Sequence, residues 1–168
     1  MSSGAGDRSA SIGGALLAVF FTEVGSRRRG FDGPSGVAVD GAGNVYVVDL
    51  INRTLRKVTA AGVVTTLAGT ADMSGSADGT GAAARFHEPS GVAVDSAGNV
   101  YVADQLNSTL RKVTPTGSTT TIAGMARAAG ILLGATPRLA VPQGLVIVGD
   151  SILLSDSNAI LLLRHGAP

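Results

Sequence analysis

The sequence predicts an all-β fold of repeated four-stranded antiparallel sheets, on three observations. A long block recurs at an offset of 55 residues. Short runs rich in β-branched residues alternate with turn residues, as strands and their connections do. The 24 glycines follow no triplet period, so they point to tight turns rather than to collagen.

The remaining composition narrows the class. With 45% hydrophobic and 15% charged residues, the 168-residue chain can bury a core and is not globally disordered. Its net charge of +1 gives no general pull toward nucleic acid or an anionic membrane. Without cysteine it has no disulfide, thiolate metal site or thiol nucleophile.

In chain order, residues 1–30 form a divergent N-terminal segment. Its apolar stretch, Ile12 to Phe21, is too short to span a bilayer as a helix. Arg8 before it and Val24-Gly25-Ser26 after it give it a weak signal-peptide look, compatible with secretion. The competing reading is an apolar segment packed on the body of the protein, and localisation stays open.

The repeat occupies the centre of the chain. Pro34-Ser35-Gly36-Val37-Ala38-Val39-Asp40 returns as Pro89-Ser90-Gly91-Val92-Ala93-Val94-Asp95. Gly43-Asn44-Val45-Tyr46-Val47 returns as Gly98-Asn99-Val100-Tyr101-Val102, and Thr54 to Thr59 as Thr109 to Thr114. A weaker third copy starts at Pro142-Gln143-Gly144 and carries Ser155-Asp156-Ser157-Asn158. Within the first copy, strands are expected at Val37–Asp40, Val45–Val48, Thr54–Val58 and Val63–Ala68. Strands this short bury little alone, and stacking such sheets as blades around an axis solves that. The small residues of the first strand suit the crowded axis, which favours a β-propeller over a sandwich.

These residues resemble the NHL repeat family. The likeness rests on Pro-x-Gly-Val-Ala-Val-Asp, Gly-Asn-Val-Tyr-Val-x-Asp, an Asn and a basic third strand, at 34–69 and 89–124. Arg53 and Ser108 stand where the family's signature histidine belongs. Pro34, Gly36, Asp49, Asn52, Pro89, Gly91, Asp104 and Asn107 are the repeat's structural residues. The resemblance implies propellers of about six blades. The blocks are then 31–69 for the first blade, 70–124 for a linker loop and second blade, and 125–168 for a degenerate partial third. Shifting the repeat back places Ser11 to Gly14 as a lone fourth strand that could complete the last blade. About three blades make either a partial propeller, as a fragment or an open array, or half of a six-bladed ring closed by a homodimer.

Candidate chemistry is sparse. Asp49 with Asn52, and Asp104 with Asn107, recur in step with the repeat, as turn-fixing Asx residues do. Asp40 and Asp95 are the metal candidates, because aspartates ending innermost strands gather near one channel mouth. Arg56-Lys57 and Arg111-Lys112 recur on the third strand, but balancing acids and few aromatics argue against nucleic acid. His87 and His165 stand in unrelated places, so no catalytic set is assembled, and nothing calls for a cofactor. Asn52-Arg53-Thr54 and Asn107-Ser108-Thr109 match the glycosylation sequon. The expected function is a binding scaffold for a protein partner or ligand, with specificity in Ala15–Gly30, Thr70–Arg85 and Met125–Ala140. The resemblance also implies two rivals. One is a propeller hydrolase or lyase with a metal at the channel mouth; the other is a structural or sensor module of a larger protein.

Overall fold

The computed structural model describes residues 10–12, 15–17, 30–126, 128, 130 and 138–164. β1 (Ala10–Ile12) and β2 (Ala15–Leu17) pair with each other as an antiparallel hairpin. Sheet one runs β3 (Pro34–Val39), β4 (Val45–Asp49), β5 (Thr54–Val58) and β6 (Val64–Gly69), each paired with the next. Sheet two repeats that meander with β8 (Pro89–Val94), β9 (Val100–Asp104), β10 (Thr109–Val113) and β11 (Ser118–Gly124). The short β7 (Gly79–Thr80) adds a fifth strand outside β11. Sheet three consists of β12 (Pro142–Val148), β13 (Ser151–Asp156) and β14 (Ala159–Arg164). Every pairing within the sheets is antiparallel.

The strand expected at Ser11–Gly14 starts in place, but β1 is paired with β2. Among the described residues, β14 has no strand on its outer edge. Gly13 and Gly14, and most of Ile12–Phe21, lie outside the described residues.

Alternation along each strand gives every sheet two apolar faces, and the sheets stack through them. Tyr46, Val48, Leu55 and Ala68 of sheet one meet Val92, Val100, Val102 and Val113 of sheet two. Tyr101, Ala103 and Leu110 of sheet two meet Ile152 and Leu154 of sheet three. Full burial of such a side chain contributes about 1.5–3 kcal/mol, so the junctions between sheets hold the arc together. Phe86 and Leu139 each precede the repeat's proline by three, and both are wholly buried in these clusters. A short 3-10 turn at Gly81–Ala83 precedes Phe86 in the chain.

The first strands form the inner wall, with β8 between β3 and β12. Backbones there nearly touch. A Cβ added to Gly36 would lie 2.7 Å from the carbonyl oxygen of Ser90. A Cβ on Gly91 would lie 1.8 Å from that of Gln143. The preceding serine ties the same junctions. Ser35 Oγ donates to the Ser90 carbonyl at 3.0 Å, and Ser90 Oγ to the Pro142 carbonyl at 3.2 Å. Pro-Ser-Gly therefore works between sheets as well as starting a strand.

Candidate functional site

Two groups of polar residues recur along the arc, a latch at the end of each second strand and an aspartate turn after the first strands of sheets one and two, and a single cleft lies at the inner wall.

The cleft lies where β3, β8 and β12 begin. It encloses about 440 Å³ and is lined by the Ser-Gly-Val start of β3 and β8, by Gln143, Gly144 and Leu145 of β12, and by Gln105. Small-molecule sites usually measure roughly 300–1,000 Å³. Backbone groups, two serines and two glutamines supply its polarity, and no lining side chain titrates.

The latch is built on Asp49 and Asp104, both fully buried. Asp49 accepts from the Asp32 amide at 2.8 Å and from Asn52 Nδ2 at 2.8 Å. Asp104 accepts from the His87 amide at 2.7 Å, from Asn107 Nδ2 at 2.7 Å and from Arg111 at 2.9 Å. Arg111 is itself fully buried, donates to Asp78 at 2.7 Å, and lies over the Phe86 ring at 5.4 Å. Arg56 lies over Phe31 in the same way, at 5.5 Å. Burial pushes the Asp49 and Asp104 carboxyls up, and their hydrogen bonds only partly offset it. In sheet three, Asp156 keeps the equivalent bond, from the Ala140 amide at 2.8 Å, but Leu161 takes the position of Arg111.

The latch also closes the sequons. Asn52 and Asn107 are 3% and 4% exposed, with Nδ2 committed to the aspartate, so neither is accessible for glycosylation in the folded chain.

Asp40 and Asp95 each organise a tight turn. Asp40 Oδ1 accepts from the Ala42 and Asn44 amides, both at 2.9 Å. Its Oδ2 accepts from Asn44 Nδ2 at 2.8 Å and Tyr46 Oη at 3.1 Å. Asp95 does the same with Ala97, Asn99 and Tyr101. The Asn44 side chain leads in holding the Asp40 carboxyl below its ordinary value. At Asp95, burial pushes upward, but the bonds from Asn99, Tyr101 and Ala97 prevail and lower it. Among the described residues, no three acidic, histidine or cysteine side chains form a group able to hold a metal ion.

Burial, reinforced by Asp40 and Asp95, pushes Tyr46 and Tyr101 up to about 12. An unfolded phenol titrates near 10, so between about 10 and 12 the native state holds more protons than the unfolded one. Their contribution is intact below about pH 10 and fades as pH rises toward 12. With only two tyrosines in the chain, tyrosinate absorbance reports on these alone. Ionisation of either near pH 10 in folded protein would contradict the assignment.

Of the non-repeating segments, Thr70–Arg85 is a largely exposed excursion in which Asp78 and the Ala77 carbonyl serve Arg111. Ala15–Gly30 and Met125–Ala140 fall largely outside the described residues, as does His165. His87 enters the latch through its backbone. Sequence reasoning did not find Asp78, Gln105 or Gln143, since none repeats. Ser35 and Ser90 did repeat, and that was the available signal for the junctions. No helix among the described residues is long and apolar enough to cross a membrane.

Residues 86–112 match the NHL repeat family. No curated protein matches the chain in sequence. Among solved structures, it is similar to a protein of unknown function from Bacteroides thetaiotaomicron: 25% identity, 68% of this chain, 30% of that one, TM-score 0.62. An auxiliary nutrient binding protein from Bacteroides ovatus aligns at 19% identity over 86% of this chain and 38% of its own, TM-score 0.67. A gluconolactonase from Xanthomonas campestris aligns at 18% identity over 86% and 39%, TM-score 0.59. The chain thus spans between 30% and 39% of the length of these structures. Repeat, sheet order and stacking agree: the chain is a partial β-propeller, and residues 86–112, within its second sheet and the approach to it, match the NHL repeat.

Proposed function

We propose that this chain is a binding module, a propeller arc that takes a ligand or a protein partner at its inner-wall cleft and the adjoining blade loops. The observation that carries the reading is the character of that cleft. It offers hydroxyl, amide and backbone groups, which suit recognition of a neutral polar ligand, and its lining has no acid, base or nucleophile pair. The repeat's aspartates support the same reading, because their oxygens already accept hydrogen bonds within turns and latches. A wall closed around the axis needs more than three sheets, and a second copy of the chain is the partner we propose to supply them.

The test combines a thermal-shift screen of neutral sugars and short peptides with a lactone hydrolysis assay, run with and without calcium or zinc. The expected result is a saturable upward shift with at least one neutral probe. Gln143→Trp, which fills the cleft, should remove that shift, and no cation should induce turnover. Lactone turnover that a chelator abolishes would overturn the reading in favour of a metal-dependent enzyme.

A further inference from the structure

Each end of the arc presents a sheet face built like an internal junction but left uncovered. Strand register identifies the equivalent positions. Val146 pairs with Leu153 as Ala93 pairs with Tyr101, and Ile160 pairs with Ser155 as Leu110 pairs with Ala103. Tyr101, Ala103 and Leu110 are buried beneath sheet three. The same face of sheet three looks outward: Ile160, in the place of Leu110, is 71% exposed, Val146, in the place of Ala93, is 49% exposed, and Leu162, in the place of Lys112, is 57% exposed.

The opposite end carries the complementary surface. Val37 and Val39 occupy in sheet one the places that Val92 and Val94 occupy in sheet two. Val92 and Val94 pack into the cluster formed with Tyr46, Val48 and Leu55. Val37 and Val39 are 66% and 60% exposed. The surface that would cover sheet three is therefore the one displayed by sheet one, and the two internal junctions show how such surfaces mate.

We propose that a second copy of this chain docks head to tail, with sheet one of each copy on sheet three of the other, closing a ring of six sheets. Both contacts are heterologous, and the ring has two-fold symmetry about the propeller axis. Six sheets lie within the four to eight of closed propellers, whereas three fall short and nine exceed it. Closure removes both apolar faces from water, and an exposed apolar surface of this kind is itself a mark of an interaction site. The inference rests on the proposed binding reading only in completing the wall around the cleft.

The experiment is light scattering on the full chain over a wide dilution range, on the native sequence and two variants. The native chain should give a single species at twice the 16.6 kDa chain mass. Ile160→Asp with Leu162→Asp, and separately Val37→Asp with Val39→Asp, should each raise the dimer Kd by about 100-fold or more. Circular dichroism should stay native, because all four side chains are exposed. Mixing the variants should restore association that neither shows alone, since the mixture retains one intact junction. A native monomer at every concentration, a ladder of masses growing with concentration, or a dimer indifferent to Val37 and Val39 would each overturn the ring. A dimer whose melting responds to no neutral probe would sink the binding reading and leave the ring standing.

Discussion

Replacing Asp104 by alanine should destabilise the chain by about 3–5 kcal/mol, the usual cost of breaking a buried ion pair from one side. The carboxylate is fully buried and serves three donors: the His87 amide, Asn107 Nδ2 and Arg111. Its loss leaves the buried guanidinium of Arg111 with Asp78, whose side chain is half exposed, and with the carbonyls of Arg85 and Ala77. Natural domains are stable by only about 5–15 kcal/mol, so this one change takes a large share of the total. Urea unfolding followed by circular dichroism measures it. Sheet three supplies the comparison, because there the arginine position is Leu161 while Asp156 persists. Arg111→Leu combined with Asp104→Asn should therefore cost much less than the two single changes added together. Additive losses would mean that Asp104 acts chiefly through the loop amide and not through Arg111.

Gly91→Ala should cost about 3 kcal/mol or more, at or beyond the top of the usual overpacking range. The new methyl would fall 1.8 Å from the Gln143 carbonyl oxygen, a backbone atom that cannot swing aside. Relief requires β8 and β12 to separate, which opens the second junction and deforms the cleft. Gly36→Ala, at 2.7 Å from the Ser90 carbonyl, should follow the same course more mildly. Gly41→Ala, with nothing within 4 Å, should stay within about 0.5 kcal/mol of the native chain. Equal effects at Gly91 and Gly41 would show that the inner strands do not approach as described.

Much of this molecule was legible because it is written at least twice. Two near-identical copies gave the strands, their order and the turns, since periodicity and turn chemistry act locally. Phe86 and Leu139 were legible as packing residues from their shared distance to the proline, without knowledge of what they pack against. Arg56 and Arg111 were not legible as buried. A basic pair on a strand reads as solvated or paired between blades, and only the tertiary structure places an aromatic ring beside each guanidinium and Asp104 beside that of Arg111.

The candidate site divides along the same line. Asp40 and Asp95 end their strands where the sequence put them. Their engagement depends on Asn44 and Asn99, four residues on, and on tyrosine hydroxyls brought back by the next strand. The cleft had no sequence signature, because Gln105, Gln143 and three glycine-containing strand starts meet only when separate sheets converge.

By itself, then, the sequence determined the all-β class, the repeat, the strand meander and the aspartate-anchored turns, all set by contacts within one hairpin or one blade. Tertiary structure alone decided which faces are covered, that Arg111 is buried between Asp104 and Asp78, and that the inner wall forms a cleft. The first and last depend on how neighbouring sheets stack, which joins residues about 50 or more positions apart, and the second on a loop that returns Asp78 from 33 positions away, both beyond the reach of a local pattern.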